Sequence, residues 1–248
     1  MITSFQNKWI KLVRQLQSAK KRRKLQKYII EGEHLIEEAI NYQAKIEMIL
    51  VTSNKKETLL DLIGEYPVEE VDERLFSEIT ETKTTQGILA IMRMQNSSLP
   101  KFMEGPILAL DGIQDPGNLG TMIRTADAAG YSAVLLNKGT VDMYNGKVLR
   151  SMQGSQYHIP VYCVDFSIVL DQLSEQNYEI YATALDEKAQ SYLNINPSNN
   201  HVVIFGNEGN GVSQEILNKY KTVYIPMPGQ AESLNVAVAT GIVLFRWL

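Results

Sequence analysis

Three loops place polar or charged side chains directly after an apolar run, an arrangement that could hold a ligand. The first, DPGNLGTMIR, begins at Asp115 and carries Asn118 and Arg124; the second is FGNEGNGVS (205–213) and the third is IPMPGQAESLN (225–235). Glycine permits unusual dihedral angles and close approach of a ligand. None of the loops has the G-x-G-x-x-G spacing of a dinucleotide-binding turn, which disfavours a nucleotide-dependent oxidoreductase.

The first loop leads into a predicted helix that begins near Asn118 and ends at Gly130. Arg124 lies away from its apolar stripe and therefore points to solvent, a cleft or a partner. Arg124 could be a cation beside a ligand, or it could form an i,i+3 salt bridge with Asp127, which contributes only a few tenths of a kcal/mol. Asn118 could serve a ligand site or simply cap the helix.

The second and third loops leave similar alternatives. Glu208 supplies a carboxylate where a phosphate site would need amides and a cation, so the second loop suits a neutral or positively charged ligand, unless it is an ordinary glycine-rich turn. Ser233 could act in a site or cap the last helix. That helix is apolar on nearly every side, which predicts burial in a core or, as we expect, in a subunit interface.

The elements that must position these loops alternate between strand and helix. Such alternation predicts a mostly parallel sheet with helices on both faces, and ligands bind at the carboxyl ends of its strands. We predict a small α/β domain over residues 1–97, a linker over 98–106 and a larger domain over 107–248. The smaller domain has four predicted strands (KYIIEG, KIEMILVT, YPVEEV, QGILAIM) and, between them, three predicted helices (EHLIEEAI, KETLLDLIG, DERLFSEIT).

Composition narrows the class of protein. The chain has 248 residues, 44% of them hydrophobic, and a net charge of −4. The single cysteine, Cys163, excludes an intramolecular disulfide and fits a reducing compartment, while the histidines lack the spacing of metal ligands. No apolar stretch is long enough to span a bilayer. We therefore expect a cytoplasmic, metal-free protein that makes no membrane contact.

Positive charge is concentrated at the start of the chain. Residues 1–30 contain nine lysines or arginines and no acid. The cluster KKRRK could contact nucleic-acid phosphates, or it could be a solvated basic turn after an amphipathic first helix. A transit peptide is a further alternative that the strand-like KYIIEG disfavours. The residues predicted to bind RNA here are Lys20, Lys21, Arg22, Arg23 and Lys24.

Taken in order, the three loops resemble the three motifs of the SpoU (TrmH) family of RNA ribose 2′-O-methyltransferases. The resemblance covers about residues 105–248, and it is specific because three ordered motifs carry it. The segment KYIIEGEHLIEEAI is similar to the small L30e-like substrate-binding domain of that family. The resemblance implies a SPOUT-class fold with a deep C-terminal trefoil knot that holds S-adenosylmethionine, and a homodimer whose active site combines residues of both subunits.

The resemblance also implies roles for individual residues. Arg124 and Asn118 match catalytic positions of the first motif, Glu208 of the second, and Ser233 and Asn235 of the third. Arg150, in KVLRSMQGS, matches a segment between motifs and is a lesser candidate for RNA contact. The positions that match the binding of the methyl donor are Gly206, Ile225, Met227 and Leu234.

The expected reaction is methyl transfer to a ribose hydroxyl. A guanidinium group is a poor proton acceptor because its pKa lies above about 12, so we expect Arg124 to orient the ribose and stabilise the oxyanion. Ribosomal RNA is favoured as the substrate by fold-level analogy. A tRNA methyltransferase, or a non-catalytic RNA-binding or ribosome-assembly protein of the same fold, stays open.

Overall fold

In the computed structural model, which describes residues 1–82, 84–95, 98–186 and 189–248, the chain forms two compact units. The first contains Met1–Asn96 together with Asp142–Tyr157, and the second contains Ser97–Val141 and His158–Leu248. The predicted larger domain over 107–248 is therefore not one continuous unit, because a segment from its middle packs with the first unit.

The helices (α) and strands (β) follow one another in both units. Up to residue 93 they are α1 (Lys8–Leu16), α2 (Ala19–Leu25), β1 (Lys27–Glu31), α3 (Glu33–Asn41), β2 (Ile46–Thr52), α4 (Ser53–Lys56), α5 (Leu60–Ile63), β3 (Val68–Val71), α6 (Glu73–Ile79) and β4 (Ile88–Arg93). Beyond it they are β5 (Ile107–Asp111), α7 (Pro116–Ala128), β6 (Ala133–Leu136), α8 (Gly146–Met152), β7 (Val161–Cys163), α9 (Phe166–Glu175), β8 (Glu179–Thr183), β9 (Gln190–Ser191), β10 (His201–Gly206), α10 (Gln214–Lys219), β11 (Lys221–Tyr224) and α11 (Val236–Arg246).

The first unit has a four-stranded sheet in the order β1-β4-β2-β3, in which only β2 and β3 pair in parallel. The four predicted strands are present. The segment KETLLDLIG is helical as predicted but does not form one α-helix, because a 3-10 turn at Glu57–Leu59 separates α4 from α5. Helix α1 buries Ile10, Val13 and Leu16 against the sheet's core, whereas Phe5 precedes the helix and is exposed.

The second unit has a seven-stranded sheet in the order β7-β6-β5-β10-β8-β11-β9, and every adjacent pair is parallel. Its central strands β5, β6 and β10 are buried along their whole length. Strand β10 lies between β5 and β8 although it follows both in the chain. The mostly parallel α/β fold is confirmed; the trefoil knot stays a prediction, since strand order alone does not establish a chain crossing.

The predicted linker packs on the second unit. Leu99 and Met103 contact its core, and the backbone N–H of Gly105 donates to Asn200 Oδ1 at 2.9 Å. Residues 98–106 belong to no helix or strand, yet these contacts hold them against the core of the second unit.

The segment Asp142–Tyr157 belongs to the first unit through specific contacts. Helix α8 packs on β1, and the hydroxyl groups of Tyr28 and Tyr157 lie 3.3 Å apart. Asp142 pairs with Arg22 at 2.6 Å, and both side chains are largely buried. No helix in the described ranges is both long and apolar enough for a membrane span.

Candidate functional site

A cleft of about 890 Å³ opens at the carboxyl ends of β8, β10 and β11. This is the edge of a parallel sheet at which ligands bind, because the loops that leave the strands converge there. The second and third loops line it, and its residues include all four that were predicted to hold the methyl donor: Gly206, Ile225, Met227 and Leu234. A volume of this size lies within the range of small-molecule sites, roughly 300–1,000 Å³.

Gly206 ends β10 where the second loop folds back on itself. Asn207 and Gly211 exchange backbone hydrogen bonds of 3.0 and 2.9 Å, so the loop crosses close to the end of the strand. A Cβ atom at Gly206 would lie 2.0 Å from the backbone of Gly211 and Val212. Only glycine fits at this position, and the close approach keeps a narrow backbone-lined wall beside the cleft.

A chain of hydrogen bonds joins one residue of each loop. Asn118 Nδ2 donates to Glu208 Oε1 at 3.0 Å, and Asn118 Oδ1 accepts from Asn235 Nδ2 at 3.0 Å. We call Glu208, Asn118 and Asn235 the relay. Because both ends of the Asn118 amide are occupied, its orientation is fixed by its neighbours. Three residues that are distant in sequence are thereby held in one arrangement.

Glu208 holds the start of α7. Its carboxylate accepts from the backbone N–H groups of Gln114 and Asp115, both at 3.3 Å, as well as from Asn118. Burial works to raise the pKa of Glu208, but these hydrogen bonds outweigh it and lower the pKa below 4.5. Glu208 also lines the cleft, and both of its oxygens accept hydrogen bonds from the first loop.

The helix caps differ from the prediction. Asp115 caps α7 by accepting from the backbone N–H of Asn118 at 2.8 Å, with Pro116 in the first turn, so the helix starts before Asn118. Asn235 caps α11 by accepting from the backbone of Ala237 at 2.9 Å, so Ser233 is not the cap. The capping alternatives for Asn118 and Ser233 are therefore wrong.

Arg124 projects from the exposed side of α7. The alternative of a salt bridge to Asp127 is wrong, because Asp127 instead accepts from His158 Nδ1 at 2.8 Å. Among the described residues, nothing forms an ion pair or hydrogen bond with the Arg124 guanidinium. Ser233 and Asn235 line the cleft, whereas Arg124 and Asn118 do not. The guanidinium is thus free to meet a ligand that approaches from outside this unit.

The basic cluster lies on helix α2 of the first unit, not on a turn. Arg22 is only 4% exposed; it pairs with Asp142 and donates to the backbone carbonyl groups of Leu16 and Gln17. Its predicted contact with RNA is corrected, because a side chain in this position cannot reach a phosphate. The other four cations of the cluster, Lys20, Lys21, Arg23 and Lys24, are exposed. Arg150 lies in the same unit, 3.7 Å from Glu81.

Sequence reasoning missed the residues that brace the loops from behind. Asp111, at the end of β5, accepts from Asn137 Nδ2 and from the backbone N–H of Ser213, and Asn207 donates to the carbonyl group of Gly112. A carboxylate at the end of an apolar strand was the available signal for Asp111. Within the described ranges, no group of three His, Cys, Asp or Glu side chains is placed to hold a metal ion.

Comparison with protein-family models gives two matches along the chain. The model of the SpoU rRNA Methylase family matches residues 105–245, which include all three loops. The model of the MRM3-like substrate binding domain matches residues 7–90, most of the first unit. The resemblance of the three loops and that of the N-terminal region are therefore both confirmed.

Individual proteins extend this result over the whole chain. The chain is 44% identical to 23S rRNA (guanosine(2553)-2′-O)-methyltransferase RlmP of Bacillus subtilis, over 99% of this chain and 98% of the relative. An AdoMet-bound rRNA methyltransferase from Sinorhizobium meliloti is 31% identical, with a TM-score of 0.87 and coverage of 99% of this chain and 95% of that one. A TrmH/SpoU tRNA modifying enzyme of A. aeolicus is 29% identical, with a TM-score of 0.52, and covers 59% of this chain and 75% of its own.

Proposed function

The chain belongs to the SpoU rRNA methylase family and is an S-adenosylmethionine-dependent methyltransferase for a ribose 2′-hydroxyl of RNA, and we propose that its substrate is a guanosine of 23S ribosomal RNA. The observation that carries the choice of RNA is the full-length similarity to RlmP of B. subtilis. The likeness to the A. aeolicus tRNA modifying enzyme, by contrast, covers 59% of the chain. A ribosomal substrate and the single cysteine favour a cytoplasmic location.

The methyl donor fits the cleft beside Gly206, Ile225, Met227 and Leu234. When bound, its sulfonium group supplies the methyl group to the ribose oxygen. Because Gly206 has no side chain, the backbone of Gly211 and Val212 lies against it, and these residues line the cleft together; Ile225 and Leu234 provide apolar contact. The relay then fixes the positions of the first and third loops relative to each other, so that Asn118 and Asn235 are positioning residues.

Arg124 is the group that meets the ribose. A ribose hydroxyl becomes a nucleophile only as its proton leaves, and the developing negative charge needs a donor of hydrogen bonds. The guanidinium of Arg124 has no partner among the described residues. It can supply a positive charge and N–H donors in a fixed planar arrangement. Ser233 adds a hydroxyl group at the rim of the cleft.

We infer that two chains share each active site. Apolar side chains are exposed along and beside α11. Between 37% and 74% of the surface of each is accessible, and they are Leu234, Val238, Phe245 and Leu248. An apolar row of this length favours a partner surface, and a second copy of the chain would cover it. Because Arg124 does not line the cleft of its own chain, the proposed dimer assigns it to the cleft of the partner.

Complementation between two inactive variants tests the shared site. Arg124→Ala removes the guanidinium, and Gly206→Ala disturbs the donor cleft because its Cβ would meet the backbone of Gly211. If Arg124 acts across the interface, a mixed dimer contains one complete site and regains methyl transfer. If it acts within its own chain, the mixture stays as inactive as either variant alone. Melting curves of each variant test whether both are folded.

The target is tested by mapping 2′-O-methyl groups in cellular RNA. We expect one modified guanosine of 23S rRNA to lose its methyl group when the gene is deleted, and to regain it with the wild-type gene but not with Arg124→Ala. Loss of a tRNA methyl group instead would support the tRNA alternative. An unchanged map, together with no transfer from labelled S-adenosylmethionine to total RNA, would support the non-catalytic alternative.

A further inference from the structure

A buried carboxylate lies behind the donor cleft. Asp111 is 8% exposed and pairs with Gly206 across the parallel ladder of β5 and β10. Its Oδ1 accepts from Asn137 Nδ2 at 2.7 Å and its Oδ2 accepts from the backbone N–H of Ser213 at 3.0 Å. Both donors are neutral, and no lysine, arginine or histidine of the described ranges forms an ion pair with this carboxylate.

This arrangement is costly for stability alone. Burying a charged group without an opposite charge is unfavourable, even when hydrogen bonds satisfy its oxygen atoms. An apolar or amide side chain at the end of β5 would avoid that cost. Natural sequences retain such unfavourable groups mainly at functional sites. The function of Asp111 is therefore sought in the groups that it holds in place.

Asp111 fixes one end of the second loop and Asn207 fixes the other. Ser213, the partner of Oδ2, ends the loop, while Asn207 begins it and donates from Nδ2 to the carbonyl group of Gly112 at 2.9 Å. Within the loop, Asn207 Oδ1 accepts from the backbone of Gly209 at 2.9 Å and of Asn210 at 3.1 Å. Residues 207–213 are thus fastened at both ends to the segment that leaves β5.

We propose that Asp111 and Asn207 are positioning residues for the methyl donor: they hold the second loop against Gly206, so that the backbone wall of the cleft keeps its shape. This rests on the proposed use of the cleft by S-adenosylmethionine. Neither side chain contacts the reacting atoms. Their loss should weaken donor binding and leave the chemical step, which Arg124 serves, almost unchanged once the donor is saturating.

Asp111→Asn is the main test because an amide has one acceptor atom where the carboxylate has two. Whichever way the amide turns, an N–H group faces either Asn137 Nδ2 or the Ser213 N–H. We expect the Kd for S-adenosylmethionine, measured by calorimetry, to rise about ten- to hundredfold, the usual effect of losing a hydrogen bond to a charged group. The kcat at saturating donor should stay within about twofold.

A compensating exchange provides the rescue. In the double variant D111N/N137D the amide at 111 donates to the carboxylate at 137 and accepts from the Ser213 N–H, so both bonds are restored. The carboxylate at 137 still accepts from the backbone N–H of Phe166, as Asn137 Oδ1 does at 3.2 Å. Donor affinity should return to within a few-fold of the wild-type value, with the net charge unchanged.

Asn207→Ala gives a second measurement, and Gln172→Ala, at an exposed amide on α9 that does not line the cleft, is its control. The first should weaken donor binding and the second should not. If wild-type chain fails to bind S-adenosylmethionine, the proposed function fails. If it binds and Asp111→Asn binds equally well, or changes only the melting temperature, the positioning role is overturned. If Asp111→Asn does not fold, the positioning role is judged by the same criteria from Asn207→Ala and from the double variant D111N/N137D.

Discussion

The two units of the molecule use buried charge in different ways. In the first unit Arg22 is enclosed together with its counter-ion, Asp142, which comes from a segment 120 positions later in the chain. In the second unit the buried carboxylate of Asp111 is held by neutral N–H groups of Asn137 and Ser213. The first arrangement joins two pieces of chain into one fold, and the second shapes a cleft. Substitutions should accordingly affect stability in one unit and ligand binding or catalysis in the other.

The largest effect on stability should follow from Asp142→Ala. Removal of one member of a buried ion pair leaves the other charge uncompensated, which costs about 3–5 kcal/mol. Denaturant unfolding measures this change. Glu33→Ala is the matched control, because Glu33 pairs with Lys55 at 3.4 Å at an exposed site and should change stability by less than about 1 kcal/mol. Equal effects of the two substitutions would remove the distinction between buried and exposed pairs.

Arg124→Ala should reduce methyl transfer by about 10²–10³-fold, the usual effect of losing one group that stabilises a transition-state charge. The Kd for S-adenosylmethionine should change less than twofold, and the melting temperature should not fall, because Arg124 is exposed. Single-turnover transfer and calorimetry separate the two quantities. Arg124→Lys, which retains the charge but not the planar fork, should lose less activity. A parallel loss of donor binding would contradict the assignment.

The exposed cations of α2 should set the salt dependence of RNA binding. Replacing Lys20, Lys21, Arg23 and Lys24 by glutamine should reduce the slope of log K against log salt by about 0.7 for each phosphate that is no longer neutralised. The matched control replaces four exposed lysines of the second unit, Lys101, Lys138, Lys219 and Lys221, and changes the net charge equally. Titration of RNA at several salt concentrations distinguishes the two variants. Identical slopes would mean that the cluster is only a solvated surface.

Glu179 should give the smallest effect, and one that depends on pH. The backbone N–H of Ser198 and the ammonium group of Lys221 lower its pKa from 4.5 to about 2. Because the folded-state pKa is depressed, the carboxylate stabilises the fold above about pH 4.5, and this contribution disappears as the pH falls towards 2. Glu179→Gln should therefore be slightly less stable than wild type at pH 7 and equally stable near pH 2. A difference that is constant with pH would exclude this origin.

Much of the fold could be predicted because burial leaves a recognisable run or spacing of apolar residues. The apolar runs of β5, β6 and β10 correspond to strands that are buried along their whole length. The two-residue strand β9 was missed since it is too short to carry a pattern. The break between α4 and α5 was missed since the apolar spacing continues across it.

The site was only partly predictable. The three loops could be found, because strands of a parallel sheet end at one edge. The relay could not, because it depends on which of several caps each helix uses: Asp115 caps α7 and thereby leaves the Asn118 amide free to join Glu208 to Asn235. The burial of Arg22 was equally hidden, since a cation within KKRRK gives no sign of a partner at Asp142.

The docking of Asp142–Tyr157 on the first unit also bears on how the chain folds during synthesis. When residue 96 has been translated, all four strands of the first sheet have been synthesised. The counter-ion of Arg22 and the partner of Tyr28 have not yet been synthesised. At about 5–20 residues per second, the ribosome needs several more seconds to supply them. The first unit is therefore expected to leave the exit tunnel without part of its packing. It can fold completely only after the strands β5 and β6 have emerged.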